Sequence, residues 1–469
     1  MKKTKIVCSI GPASDSVEVM SQMVLKGMNV ARINFSHATL ENRRNVVEVV
    51  KKVREATGKN VGILFDTKGP EFRSGMLEND EITLVEGKSI RLLKESILGN
   101  ENRISTNHAS AIASLKIGDI VLLENGLMKL TVSSIEEDGV TCLIENGGIL
   151  GNKKSMSAPG TKLDIPFISE ADREDILYAA QHDGDFLALS FVTCKEEVLA
   201  VRQLLKENNC EGIELISKIE SQTGIDNIDE IIQVSDGIMV ARGDLGVEVE
   251  MSELPFIQKD MIEKCRKMEK IVIVATEMLE SMKKNIRPTR AEISDISSAV
   301  MAGTDAVMLS GETTVGNFPI ETVENMAKIC ETAEKYYHYS TNMQVDTENP
   351  IRKAICGSAV FAAKNVNAKL IVTASLKGTS SRAVSNLLPV CPVLATVTEK
   401  SVATKLSLNY GVYPVLVDVY DTTDEIVKDA IKHAVEFAKL EDDDVIIITG
   451  GLNEKNKGKS TNFLKIETI

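Results

Sequence analysis

The order of elements along this chain predicts an α/β protein. An eight-stranded parallel β/α barrel carries an inserted all-β lid domain and is followed by an open α/β domain. Three observations predict it. Eight short apolar runs recur along the chain, most of them separated by segments of helical periodicity. One interval, from Phe65 to Phe186, is far longer than a β/α connection and is studded with turn dipeptides. Beyond a polar stretch, Tyr339–Pro350, short β-rich runs again alternate with helical segments.

The eight runs are Lys5–Ile10, Asn29–Ile33, Val61–Phe65, Phe186–Phe191, Ile213–Ile219, Gly237–Val240, Ile271–Ala275 and Ala306–Leu309. All have strand length, and Ser16–Lys26 and Leu40–Thr57 show the helical period between the first of them. This alternation is that of a (β/α)8 TIM barrel, assigned to residues 1–70 and 166–342. After the third strand come the turn signals Gly118-Asp119, Asn125-Gly126, Asp138-Gly139 and Asn146-Gly147-Gly148. Apolar runs such as Ile120–Leu123 and Val140–Ile144 lie between them. Residues 71–165, roughly the size of a small domain, are therefore expected to form a β-barrel-like lid over the catalytic end. Residues 343–469 form the third domain, with Leu370–Ala374, Val393–Val397, Val415–Val419 and Val445–Thr449 as parallel strands.

Composition narrows the function classes. A chain of 469 residues with net charge −14 is a poor partner for nucleic acid or an anionic membrane surface. The eight cysteines form no CxxC pair and no metal-ligand spacing, as expected of reduced thiols in a cytoplasmic protein. The N-terminal apolar run is too short for a signal peptide, and no run approaches a membrane span.

The unusual residues gather where the runs end. Lys218 and Glu220 lie two residues apart and would share one face of a strand, and Arg242 and Asp244 repeat that spacing. Apolar strands exclude such side chains unless they are paired or bind something. Glu220 and Asp244 suit Mg2+, or Mn2+ in its place, which takes one or two protein carboxylates plus water and phosphate oxygens. The competing reading is salt bridges to Lys218 and Arg242. Lys218 would neutralise a transferring phosphoryl group. Arg32, Asn34 and Ser36 alternate on another strand end, with arginine suited to bidentate phosphate binding. Asn34, Ser36, Asp66 and Thr67 are hard oxygen donors that would ring a second cation, with solvated loop groups as the rival reading. Gly243 and Asp244 open a turn whose backbone N–H groups would receive a carboxylate.

The motifs then match a known family. Lys5-Ile-Val-Cys-Ser-Ile-Gly-Pro-Ala13, Gly27-Met-Asn-Val-Ala-Arg-Ile-Asn-Phe-Ser-His37, Asp66-Thr-Lys-Gly-Pro-Glu-Phe-Arg73 and Ser217-Lys-Ile-Glu220 occur in order. Val240-Ala-Arg-Gly-Asp-Leu-Gly246, Arg287-Pro-Thr-Arg-Ala-Glu292, Met308-Leu-Ser-Gly-Glu-Thr313 and Tyr410-Gly-Val-Tyr-Pro-Val415 follow. With these the chain resembles the pyruvate kinase family nearly end to end.

The resemblance implies the last step of glycolysis: phosphoryl transfer from phosphoenolpyruvate to ADP, giving pyruvate and ATP. It implies Mg2+ at Glu220 and Asp244, K+ at Asn34, Ser36, Asp66 and Thr67, and Lys218 as the group that stabilises the transition state. Arg32 would hold phosphate. Gly243, Asp244 and Thr276 would seat the substrate carboxylate. Thr276, or a water near Ser310, would lie close to the carbon that is protonated. Asn34, His37, Arg73 and Lys154 (or its neighbour Lys153) would contact nucleotide. Glu71 stands where glutamate accompanies a K+ requirement in the family. A homotetramer is the family's assembly. Ser375, Lys377, Gly378, Thr379, Ser380 and Arg382 resemble a loop that binds a sugar-phosphate or nucleotide effector. Departures from the family pattern are Glu277 for glutamine, Glu124-Asn125 for two aspartates, Thr193 for a basic residue, Thr314-Val315 for Ala-Lys, and Leu387-Leu388 in place of Tyr-Arg. The alternatives are a Mg2+-dependent lyase that forms a pyruvate enolate without ADP, and a catalytically inactive metabolite-binding protein.

Overall fold

The computed structural model describes residues 1–337, 349–419, 422–451 and 461–469. Most of the polar stretch Tyr339–Pro350 lies outside the described residues. Eight parallel strands close a barrel: Lys5–Ser9, Val30–Asn34, Gly62–Asp66, Phe186–Leu189, Glu214–Ile219, Gly237–Ala241, Ile271–Ala275 and Ala306–Leu309. Each falls on one of the eight apolar runs. The helices between them begin where capping side chains allow. Ser16 accepts a bond from the Val19 N–H to start Val17–Lys26, and Thr39 does the same for Leu40–Thr57.

Strand alternation sorts the side chains into two layers. Ile6, Cys8, Ala31, Ile33, Ile63, Phe65, Leu187 and Leu189 pack outward on the helices. Val7, Val30, Leu64, Phe186, Ala188, Ile216, Met239, Ile273 and Met308 fill the barrel interior. Buried on both faces, these strands read as continuous apolar runs rather than alternating ones. Two residues beyond the interior layer, the same inward register delivers Ser9, Arg32, Asp66, Ser190 and Lys218 to the C-terminal mouth.

The insertion after the third strand has a core of its own, from Phe72 to Ala158. A six-stranded sheet contains the hairpins Ile120–Leu123 with Met128–Glu136 and Met128–Glu136 with Gly139–Asn146. Glu124, Asn125 and Gly126 all take positive φ at the first turn, 49°, 54° and 82°. That turn reaches the barrel: a Cβ on Gly126 would sit 3.3 Å from Val247. The insertion thus overhangs the mouth.

The C-terminal sheet corrects two expectations. Its third strand is Val412–Leu416, not Val415–Val419. Its edge is an antiparallel strand, Phe463–Thr468, paired with Val445–Gly450, so the sheet is mixed rather than all parallel. The first two residues of this edge strand pack on opposite sides of the sheet, Phe463 with the cluster of Leu370 and Ile448 and Leu464 with that of Ile371 and Ile447, while Lys465 and Ile466 are exposed. This domain sits under the barrel floor, where its Leu408 joins the barrel's interior core.

Candidate active site

The mouth is built on a charge imbalance. Lys218 Nζ lies 3.1 Å from Glu220 Oε1, 3.2 Å from Asp66 Oδ1 and 2.7 Å from Ser190 Oγ. Arg32 donates to Asp66 Oδ2 from Nε at 2.7 Å and to Ser9 Oγ from Nη1 at 2.7 Å. Burial works against charge on Lys218, but the Asp66 and Glu220 carboxylates outweigh it and hold the ammonium well above the usual lysine range. Asp66 also resists its burial because Lys218 and Arg32 flank it, and its carboxyl is held low. Glu220 fares differently. Burial raises it, Lys218 opposes the rise, and the neighbouring Asp244 and Asp66 add to it. Lys218 and Glu220 are paired, yet both shift upward. The reason is supply: one lysine serves two carboxylates, and Asp66 has Arg32 besides.

Glu220, buried, and Asp244, exposed on the cavity side, therefore form a carboxylate pair short of positive charge, which is the condition a divalent cation relieves. Two carboxylates also fit Mg2+, whose octahedron is completed by water and substrate oxygens. Among the described residues no group of three or more His, Cys, Asp and Glu gathers as a metal cage. Asn34, Ser36, Asp66 and Thr67 supply the oxygen donors of the expected K+ site, and Asn34, Ser36 and Thr67 line the same cavity as Lys218. Asn34 Oδ1 accepts from the Ser36 N–H at 3.0 Å, which turns the two together.

Three placements differ from the sequence reading. Arg242 and Asp244 do not share a strand face, because the sixth strand ends at Ala241 and Arg242–Glu248 is a short helix. Arg242 turns away to Asp295 at 2.7 Å and to the Thr276 carbonyl at 2.7 Å, so it makes no salt bridge with Asp244. The Gly243 N–H is occupied, donating to Thr276 Oγ1 at 2.7 Å. It is not a free donor for a carboxylate in this state. Thr276 itself has φ 68°, an outlier for a β-branched residue.

The cavity between lid and barrel measures about 750 Å³ and is lined from both sides. His37 and Lys68 come from the barrel; Arg73, Glu124, Asn125 and Lys154 come from the lid. Arg73 is held by Glu71, with Nε and Nη2 each at 2.9 Å, and by the Lys153 carbonyl at 3.0 Å. Lys154 pairs with Glu124 at 2.5 Å, so the Glu124-Asn125 departure gives the lid lysine an anchor. Thr193 donates from N–H and hydroxyl to Glu197 at 2.6 and 3.0 Å. Glu277 is exposed, with φ 54°. Glu312 is buried and accepts from the Ser310 and Leu279 N–H groups, which fixes the turn after the eighth strand.

Ser9, Ser190 and the Phe191 N–H were passed over by a search for charge. Ser9 and Ser190 lie on the inward register, two residues beyond Val7 and Ala188, and that period alone would have found them.

The loop expected to bind an effector lines a second, smaller cavity in the C-terminal domain. Ser375, Lys377, Thr379 and Ser380 face it, with Asp418 and Asp429 opposite, around a volume of about 80 Å³. Gly378, at φ 73°, caps the helix Thr379–Asn386. Arg382 is not part of this cavity. It makes a two-pronged pair with Glu214, at 2.6 and 3.1 Å, at the foot of the fifth barrel strand.

Comparison with known proteins agrees with this architecture. Residues 1–323 match the sequence model of the pyruvate kinase barrel domain, and residues 353–467 match that of the pyruvate kinase alpha/beta domain. The chain is 40% identical over 474 residues to the pyruvate kinase of Sporosarcina psychrophila, covering all of this chain and 81% of that one. It is 39% identical over 477 residues to that of Clostridium acetobutylicum, covering both chains in full. A crystal structure of a pyruvate kinase from Cryptosporidium parvum superposes with a TM-score of 0.94 at 37% identity, covering 100% of this chain and 96% of that one.

Proposed function

This chain belongs to the pyruvate kinase family, phosphotransferases that pass a phosphoryl group from phosphoenolpyruvate to ADP, and we propose that Lys218, Arg32, Glu220, Asp244 and Thr276 carry that reaction at the barrel mouth. The observation that carries the assignment is the charge arrangement around Lys218: a buried ammonium kept charged beside a carboxylate pair short of cations.

Glu220 and Asp244 would hold Mg2+. Asn34, Ser36, Asp66 and Thr67 would hold K+. Bound there, the divalent ion supplies positive charge to the phosphoryl oxygens and orients them. Lys218 presents its ammonium to the group in flight, where the transfer needs positioning and charge rather than covalent help. Arg32, its guanidinium fixed by Asp66 and Ser9, binds the phosphate. The bond between phosphorus and the enol oxygen breaks as a terminal ADP oxygen bonds to phosphorus. The enolate left behind takes a proton at carbon, from the Thr276 hydroxyl or a water near Ser310. Gly243, Asp244 and Thr276 would seat the carboxylate, which requires Thr276 Oγ1 to release the Gly243 N–H. His37, Asn34, Arg73 and Lys154 would meet the nucleotide from the two walls of the cavity.

The reading extends to regulation, assembly and location. The effector loop, with Ser375, Lys377, Gly378, Thr379 and Ser380, would take a phosphorylated effector once its cavity widens. Phe256 is 74% exposed and Met251 68%, apolar surface that a homotetramer would cover. Among the described residues no helix is long and apolar enough to cross a membrane, which is compatible with a cytoplasmic enzyme.

The test is pyruvate formation from phosphoenolpyruvate with and without ADP, in K+ and in Na+ buffer. Turnover should require ADP and fall in Na+, and Glu71→Lys should loosen the K+ dependence. Turnover without ADP would indicate a lyase, and no turnover at all a binding protein.

A further inference from the structure

The turn after the fourth barrel strand, Phe186–Leu189, makes contact with both charged residues, Lys218 and Glu220, at the C-terminal end of the strand beside it. Ser190 is 2% exposed. Its hydroxyl accepts from Lys218 Nζ at 2.7 Å and donates to the Thr67 carbonyl at 2.7 Å. Its own N–H donates to Thr67 Oγ1 at 3.1 Å. The next N–H, that of Phe191, donates to Glu220 Oε2 at 2.6 Å. Phe191 reaches that position only in the left-handed region, at φ 59°, where a bulky residue is an outlier. Strain of this kind persists where the surroundings over-determine it, and such residues cluster at functional sites. The surroundings are visible here: a Cβ on Gly69 would lie 2.9 Å from both Ser190 Cβ and the Ser190 carbonyl, so the segment after the third strand clamps the turn from behind.

An ammonium has three donors. On Lys218 they face Asp66, Glu220 and Ser190, and the serine contact is the shortest. The other two partners are carboxylates with competing demands, Asp66 on Arg32 and Glu220 on a cation. The serine hydroxyl is the uncharged partner of the three, tied to the Thr67 carbonyl, with Asp66 Oδ1 at 3.2 Å beside it.

We propose that Ser190 is a positioning residue for phosphoryl transfer, its hydroxyl fixing Lys218 Nζ while the strained Phe191 N–H fixes Glu220. One two-residue turn then sets the spacing between the ammonium and the carboxylate on the metal side. The proposal rests on the roles given above to Lys218 and Glu220.

The test uses Ser190→Ala and Ser190→Cys, each alone and each combined with Lys218→Met, in the full-length enzyme. Ser190→Ala should lower kcat for phosphoryl transfer about 10- to 100-fold, the cost of one hydrogen bond to a charged group. KM for phosphoenolpyruvate should move much less. Ser190→Cys fills the space but is a weak acceptor, so it should behave like alanine. In the Lys218→Met background, Ser190→Ala should add no further loss to solvent-deuterium exchange into the pyruvate methyl group, because it acts through the lysine. Wild-type kcat in Ser190→Ala, recovery in Ser190→Cys, or a clear loss of exchange on Ser190→Ala that persists undiminished in the Lys218→Met background would each overturn the proposal. A Lys218→Met enzyme that transfers at the wild-type rate would instead overturn the assignment of the lysine, and the proposal with it.

Discussion

Two buried lysines stand at opposite ends of the same barrel on the same inward register, and they have opposite fates. Lys218 at the mouth faces two carboxylates and keeps its charge well above the usual range. Lys5 at the floor is 1% exposed and, among the described residues, has no carboxylate within ion-pair distance. It donates to the Val412 carbonyl at 2.5 Å and lies 4.2 Å from the Tyr413 ring centre. Burial pushes it well below the usual range, Lys2 adds to that, and Glu334 and Asp305 only partly offset it. Burial does not decide the charge of a lysine; its partners do. At the mouth, a charge held in place is available to chemistry. At the floor, the lysine is a peg, because Val412 and Tyr413 belong to the C-terminal domain.

The two ends should therefore fail in different ways. Glu220→Gln at the mouth should cut turnover by about 10³-fold or more at fixed Mg2+, the scale on which charge stabilisation acts in phosphoryl transfer. Its melting temperature should hold or rise, since a buried carboxyl with a raised pKa is removed. Kinetics across a Mg2+ series together with thermal unfolding check both halves. A loss of stability with turnover intact would break the comparison.

Glu334→Ala at the floor should do the reverse. This carboxylate accepts from the Lys3 N–H at 2.9 Å, the Thr4 N–H at 2.7 Å and the Thr4 hydroxyl at 2.9 Å. Its loss strands buried donors and should cost about 3–5 kcal/mol, read by urea unfolding, with turnover per folded molecule near wild type.

The smallest effect sharpens the contrast through pH. A lysine whose folded pKa lies below 10.5 leaves the unfolded chain holding more protons between the two values, so its penalty fades as pH rises through that window. Lys218, raised instead, contributes stability that is fully present below 10.5 and is lost only above it. Wild type should thus gain stability relative to Lys5→Met as pH climbs toward 10.5. A difference that stays flat with pH would show that Lys5 does not titrate there.

How much of this was legible depends on the residue. The barrel was readable because both faces of each strand are buried, which makes the runs apolar and short. Arg32, Lys218 and Glu220 stood out as charge at the end of apolar strands. Ser9 and Ser190 did not, since an uncharged serine breaks no expectation, although the two-residue period marks both. The Arg242–Asp244 reading failed because the strand stops at Ala241, a stop set by Arg242 bonding the Thr276 carbonyl and Asp295, neither of which is local in sequence. Arg382 looked like an effector ligand because its loop is rich in donors. Only the fold brings Glu214 to it. The final antiparallel strand was missed because its charged residues alternate with apolar ones at a solvated edge.

The central claim is that Lys218 stabilises the phosphoryl group in transfer while the carboxylates beside it hold the metal. Lys218→Met tests it most directly, by comparing phosphoryl transfer to ADP with solvent-deuterium exchange into pyruvate at saturating Mg2+. Transfer should fall by about 10³-fold or more, the scale seen when one transition-state cation is removed, while exchange falls far less and the Mg2+ requirement stays near that of wild type. Transfer at close to the wild-type rate, or equal losses of transfer and exchange, would contradict it.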